Sequence, residues 1–212
     1  MTGNKPMTLR ERAYQAIKAG IVGGDWPGGA FLSERSLGEQ LGMSQTPIRS
    51  ALDRLEAMGL VRLVPNQGFV VQEISLKQIM DIYELRLSLE TYAARQLTGK
   101  MDAAFFAGLD VIIQRQEEAV EAGAIPRYVE LDRRFHEAIV AGLDNEEYAG
   151  AMSRIQDKFL MAVRTTFYRN KLRLRSSLDE HRLIRDALAG NDPSAAEELV
   201  RQHIQFVEQV ML

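Results

Sequence analysis

Proline and glycine crowd into the first third of this chain, at Gly23-Gly24, Pro27-Gly28-Gly29, Pro47, Pro65 and Gly68. Both residues interrupt regular structure, so that third must be built from short elements. Beyond about Ser75 the breakers thin out to Gly99, Gly123–Pro126, Gly142–Asn145, Asn170 and Gly190–Pro193. The stretches between them are long enough for full-length helices. This contrast predicts two domains, residues 1–74 and 75–212. Charge divides at the same place. Residues 1–74 hold 8 Lys/Arg against 7 Asp/Glu, and residues 75–212 hold 18 against 22. The overall charge of −3 therefore averages a near-neutral part with an acidic one.

Composition excludes several classes. A 46% hydrophobic content rules out a wholly disordered chain, and zero cysteines remove disulfide scaffolds, thiolate metal sites and a cysteine nucleophile. No run approaches the ~18 apolar residues of a membrane span, and Met1 to Met7 carry no apolar signal segment. A cytoplasmic protein with no membrane partner is expected.

In the first part, Thr8 and Glu11 have the spacing of a capping box, and Leu9, Ala13, Ile17 and Ile21 continue as a helical stripe. A second helix is predicted from Ser33 to Leu41, and Gly42-Met43 supplies a turn. Ser44 or Thr46 can cap a third helix, with Pro47 in its first turn and Ile48, Ala51, Leu52, Leu55 and Met58 on its buried face. Leu60–Val64 and Phe69–Val71 flank Pro65-Asn66-Gln67-Gly68 as a hairpin. Three helices followed by a hairpin describe a winged helix-turn-helix.

The second helix of such a motif reads bases in the major groove with residues near its N-terminus. That end carries Ser44, Gln45, Thr46 and Arg49, with Gln45 and Arg49 one turn apart and away from the core stripe. Glutamine can make paired hydrogen bonds to adenine and arginine to guanine. Arg35 and the hydroxyls suit phosphates, and the wing tip at Asn66, Gln67 and Gly68 suits the backbone or minor groove. These polar residues could equally be solvated on a protein-interaction module.

The run from Gly24-Asp25-Trp26-Pro27-Gly28 through Leu32-Ser33-Glu34-Arg35 to Gly42-Met43-Ser44-Gln45-Thr46-Pro47-Ile48-Arg49 resembles the signature of the GntR family of bacterial transcription regulators. The likeness covers about residues 8–72. It implies that Arg35 and Arg49 contact DNA, with Thr46 and Gly68 close to it. Gln45 departs from the family, which usually carries arginine there; base preference should shift with it.

The acidic part reads as about six helices, roughly 75–98, 102–122, 126–142, 145–169, 174–189 and 193–211, giving a mainly α fold overall. The chain's three histidines, His136, His181 and His203, fall on three of them. His136 shares its face with Val129, Ile139, Val140 and Leu143, and His181 with Leu174, Leu178, Ile184 and Leu188. His203 does so with Leu199, Val200, Phe206, Val207 and Val210. All three therefore point inward with apolar stripes, and Asp132 lies one turn before His136. Three imidazoles and a carboxylate suit a first-row divalent metal, Zn(II) first, with Ni(II), Mn(II) or Fe(II) accommodated by the same donors. The alternative is three satisfied core histidines and a surface aspartate.

The spacing Asp132-x-x-Phe135-His136, Glu180-His181 and His203 resembles the ligand-binding domain of the FadR-like branch of the same family, and six helices resemble its VanR-like subgroup. The resemblance implies an effector domain that binds metal through Asp132, His136, His181 and His203 and accepts a small carboxylate beside it. Within Tyr83-Glu84-Leu85-Arg86, Arg86 is the candidate for a second hold on that carboxylate; an ordinary ion pair is the other reading. The function expected is a homodimeric, operator-binding repressor controlled by a small organic acid and not an enzyme. A metal-responsive regulator is one alternative. A metal-dependent hydrolase is another, but Val140 stands where a His-Glu-x-x-His motif needs its second ligand, and Glu137 is rotated about 100° off the metal face.

Overall fold

A computed structural model describes residues 7–65, 67–169 and 172–211, in places as backbone only (156, 157, 159, 161–169, 172 and 207–211). Wing-tip Asn66 and the breaker Asn170 lie outside the described residues, as do the side chains of Val207 and Val210. The chain divides into two compact units, the first ending at Ile74 and the second beginning at Ser75.

The first unit runs α1 (Leu9–Gly23), β1 (Phe31–Leu32), α2 (Glu34–Leu41), α3 (Gln45–Ala57), β2 (Val61–Val64) and β3 (Gly68–Val71). Thr8 caps α1 by accepting from the Glu11 amide at 3.2 Å. Among the described residues the predicted reciprocal half of that box does not form: the Glu11 carboxylate instead accepts from Arg54 at 2.9 Å and Gln15 at 2.8 Å. A cation forty-three residues away outcompetes a local amide. Ser33 caps α2 and Gly42 ends it in the left-handed region, at φ 63°. Ser44 is the N-cap residue of α3 but makes no side-chain capping bond, so its exposed hydroxyl is not committed to the helix.

Ala13, Ile17, Ile48, Leu52, Leu55 and Phe69 are fully buried and form the core between α1, α3 and the sheet. The hairpin of β2 and β3 is antiparallel, pairing Val61 with Val71 and Val64 with Gly68. Not expected from the sequence is β1, which adds to β3 with Leu32 opposite Phe69. Gly68 is required by this third strand. Its φ is 111°, and a Cβ there would sit 2.9 Å from the Leu32 carbonyl oxygen.

The second unit consists of α4 (Leu76–Leu97), α5 (Ala103–Glu121), α6 (Ile125–Ala141), α7 (Glu146–Arg169), α8 (Leu172–Ala189) and α9 (Pro193–Met211). A complete capping box, formed by Ser75 and Gln78, opens α4. In the bundle α4 packs against α9, α6 and α7, while α5 packs against α6 and α8. Tyr83, Leu89, Phe135, Ile139, Leu178 and Ile204 are among its buried apolar side chains. Phe206, assigned to the inward stripe of the last helix, is 44% exposed. Its ring lies at the edge of that stripe, 4.7 Å from the Arg173 guanidinium carbon. No helix among the described residues is long and apolar enough to cross a membrane.

Candidate metal centre and nucleic-acid interface

Four side chains converge in the interior of the second unit. Asp132 and His136 come from α6, His181 from α8 and His203 from α9, and each offers a ligand atom within 4.8 Å of the others. All four are buried, at 5% exposure or less. His136 Nε2 is 3.2 Å from His203 Nε2 and 3.9 Å from Asp132 Oδ2, and His181 Nε2 is 3.5 Å from Asp132 Oδ1. Phe135 closes one side by stacking on His181 with centroids 4.1 Å apart.

Each imidazole is held from behind through its other nitrogen. His136 Nδ1 lies 2.5 Å from Glu90 Oε2, His181 Nδ1 3.0 Å from Gln116 Oε1, and His203 Nδ1 2.6 Å from Glu180 Oε2. A carboxylate or amide oxygen can only accept, so each Nδ1 carries the proton and donates. Each Nε2 then presents a bare lone pair to the centre. His181 Nε2 is buried with no hydrogen-bond partner among the described residues. Buried acceptors are ordinarily satisfied, and three imidazole lone pairs beside a carboxylate are the donor set of a divalent cation. The residues present fit a metal.

The surrounding charges are also buried. Arg86 Nε donates to Glu90 Oε1 at 2.7 Å, so the sequence candidate Arg86 is ion-paired inside the bundle, one side chain removed from His136. Arg173 reaches both oxygens of Glu180, at 2.5 and 2.7 Å, and Ser177 donates to Asp132 at 3.4 Å. Burial lowers His136 and His181 well below the ordinary histidine value, with Arg86 and the neighbouring imidazoles adding to the effect, and it lowers His203 as well. All three are thus neutral and able to ligate. Asp132 is pushed up to about 6 by burial, against the opposing pull of Arg86 and Arg173. Burial also raises Glu180, but hydrogen bonds from His203 and Arg173 outweigh it and bring it down to about 2. Glu137 faces away, half-buried and paired with Arg133.

Sequence reasoning missed the holders Glu90, Gln116 and Glu180, and Arg173 behind them. A signal was present for two of them. Gln116 interrupts the buried stripe Leu109, Ile113, Ala119 of α5, and Glu90 lies between Leu89 and Ala93 on the buried face of α4. A polar residue on an apolar stripe needs a partner, but periodicity alone does not say which.

The second cluster lies on the first unit. Ser44, Gln45, Thr46 and Arg49 are exposed along the start of α3, and Arg35 is exposed on α2. Arg10, Glu34, Gln45, Thr46, Arg49, Ser50 and Asp53 line an open groove of about 610 Å³. Among the described residues Arg35 pairs with Glu39 one turn away, with 82% of its side chain exposed. Gly68 sits beside the turn at the tip of the wing, where it pairs with Val64, and is partly exposed.

A winged helix-turn-helix joined to an all-helical unit defines the class of DNA-binding transcriptional regulators, not of enzymes. Residues 9–71 match the bacterial regulatory proteins of the gntR family, and residues 81–206 match the FCD domain. The chain belongs to the GntR family, with an FCD domain as its second part. It is 36% identical over 133 residues to an HTH-type transcriptional regulator of the TAR-I ttuE–ttuC′ intergenic region of Agrobacterium vitis, covering 61% of this chain and 77% of that one. It is 26% identical over 201 residues to the HTH-type transcriptional regulator YdhC of Bacillus subtilis, covering 94% and 89%. Among solved structures, E. coli McbR/YncC shares the fold at TM-score 0.76 and 24% identity, covering 98% of this chain and all of that one.

Proposed function

We propose that this regulator is a homodimeric repressor whose operator affinity is set by a small organic acid bound beside a divalent metal, Zn(II) foremost, in the second unit. The observation that carries this reading is the convergence of three unprotonated Nε2 atoms and the Asp132 carboxylate, each imidazole locked by Glu90, Gln116 or Glu180. Asp132, His136, His181 and His203 would hold the ion. When bound, it supplies a Lewis acid to which carboxylate oxygens bind. Arg86 and Arg173 are buried close to the same centre but are each paired with a carboxylate. The ion's own charge therefore draws an anionic guest, and Arg86 would add a second hold.

On DNA, Gln45 and Arg49 read base edges while Arg35, Ser44 and Thr46 anchor phosphates and Gly68 lets the wing approach closely. Two such heads in a dimer match a palindromic operator. An effector acts only through different affinity for the DNA-competent and DNA-incompetent forms.

The test uses full-length protein with elemental analysis, followed by anisotropy titrations on the DNA upstream of its own gene, with and without small mono- and dicarboxylates. Stoichiometric metal and an acid-dependent loss of binding are expected. Protein that binds no divalent ion, or operator affinity indifferent to every acid, overturns the effector reading. Affinity that tracks metal concentration alone would instead make the ion the signal.

A further inference from the structure

Arg49 is gripped by three elements of the first unit. Its Nη1 donates to Glu34 Oε1 at 2.7 Å, and its Nε faces Asp53 Oδ1 in an ion pair at 3.3 Å. Its guanidinium carbon stands 5.5 Å from the centroid of the Phe69 ring. Glu34 opens α2, Asp53 lies one turn further along α3, and Phe69 is a fully buried residue of β3. Arg35 differs: among the described residues its ion pair is an exposed one within its own helix, to Glu39, whereas Arg49 is also paired across to Glu34 on another helix.

A guanidinium has five N–H donors in a rigid plane. Two are taken by Glu34 and Asp53, and three remain, both on Nη2 and one on Nη1. Those suffice for paired hydrogen bonds to guanine O6 and N7. A phosphate is a poorer match, because it would approach two carboxylate charges lying against the same guanidinium. A base edge carries no net charge and meets no such repulsion. Within the groove, the place of Arg49 between Glu34 and Asp53 is therefore electrostatically suited to a base edge rather than to the backbone.

From this geometry we infer that Glu34 is a positioning residue for base readout: it holds the Arg49 guanidinium edge-on to a guanine and off the phosphates, without touching DNA itself. The inference rests on the proposed role of Arg49 as a base-reading residue. Asp53 assists from the other side, and Phe69 sets the plane.

Selection from a pool of randomised duplex DNA tests it, using full-length wild type, Arg49→Ala, Glu34→Ala, Glu34→Gln and Asp53→Asn. Titrations on a selected duplex and on an unselected one over a range of salt complete the test. Arg49→Ala should erase preference at one guanine position. Glu34→Ala should weaken preference at that same position about tenfold while binding to unselected DNA tightens and the salt slope steepens by about one ion. Glu34→Gln, which keeps an acceptor without the charge, should retain more preference than Glu34→Ala. Glu34 also favours the positive end of α2, so Trp26 emission checks that each variant folds. Asp53→Asn, remote from that end, should shift preference in the same direction by less. If Arg49→Ala alters no position, the base-reading role of Arg49 itself fails. If Arg49→Ala acts but Glu34→Ala keeps the guanine preference, or lowers selected and unselected binding in parallel, the positioning role alone is overturned.

Discussion

His136 and His203 meet nitrogen to nitrogen, with Nε2 atoms 3.2 Å apart and both Nδ1 atoms committed to carboxylates. Two lone pairs facing each other in a buried space repel unless a cation lies between or beside them. Removing divalent ions should therefore destabilise the second unit. At free metal one hundred times the dissociation constant, linkage contributes about 2.7 kcal/mol, which corresponds to a melting shift on the order of 10 °C. Calorimetry before and after chelation, then with Zn(II), Ni(II) or Mn(II) restored, measures it. A melting temperature that ignores all three ions would sink the metal site.

Glu90 accepts from both Arg86 and His136. Glu90→Gln should weaken metal binding roughly 10–100-fold, the usual effect of losing an orienting partner. It should also destabilise the metal-free unit, up to the roughly 3–5 kcal/mol expected when a buried ion pair loses one member. Competition against a chromogenic chelator reports the first effect and urea unfolding the second. An unaltered metal affinity would mean that His136 is oriented by something else.

The difference between those two residues also marks how far the sequence could be read. His136 lies on the 3.6-residue stripe with Val129, Ile139 and Val140, so its inward direction follows from local periodicity. Asp132, His181 and His203 follow in the same way, as do the three helices that carry the cluster. Glu90 reaches His136 across forty-six residues, and Gln116 reaches His181 across sixty-five. Such pairings are fixed by how helices dock, which no local pattern encodes. The same limit hid β1, whose two residues carry too little pattern to read. It also hid the pairing of Glu11 with Arg54, which displaced half of a capping box.

Acid should destabilise the metal-free protein. His136, His181 and His203 have folded values below the ordinary 6.5. As pH falls through about 6.5 the unfolded chain takes up protons that the folded chain refuses, and stability drops. Asp132 acts the other way: pushed up from 3.8 to about 6, it gives back stability as pH falls through that interval. Three imidazoles against one carboxylate leave a net loss. Below the ordinary 4.5 of a glutamate, Glu180 adds to it, since its folded value is about 2. Urea midpoints of chelated protein from neutral to about pH 5 should decline steadily; a midpoint that rises on acidification contradicts neutral burial of the cluster.

Gly20 illustrates a substitution whose usual sign reverses. Alanine in place of a helical glycine normally stabilises by about 1 kcal/mol. A Cβ at Gly20 would stand 2.2 Å from Trp26 Cζ3 and 2.6 Å from Cε3, so the indole must move. Gly20→Ala should instead destabilise the first unit by roughly 1–3 kcal/mol, the range for overpacking. The chain's only tryptophan reports it directly, through a changed emission and a lower unfolding midpoint. Unchanged emission together with higher stability would show that Trp26 does not sit over α1.

Gln45 is the first residue of α3 and lines the groove with Thr46 and Arg49, one turn before the latter. A carboxamide pairs with adenine N6 and N7, whereas a guanidinium pairs with guanine O6 and N7. Gln45→Arg should therefore exchange an adenine for a guanine in the selected site and penalise the original sequence by about 1–3 kcal/mol. The added charge should tighten binding to unselected DNA and steepen its salt dependence by about one ion. Both effects can be read from the same pool of randomised duplexes, and they separate cleanly. A steeper salt slope with an unchanged sequence preference would mean that residue 45 faces phosphate, leaving Arg49 as the base reader on this turn of α3.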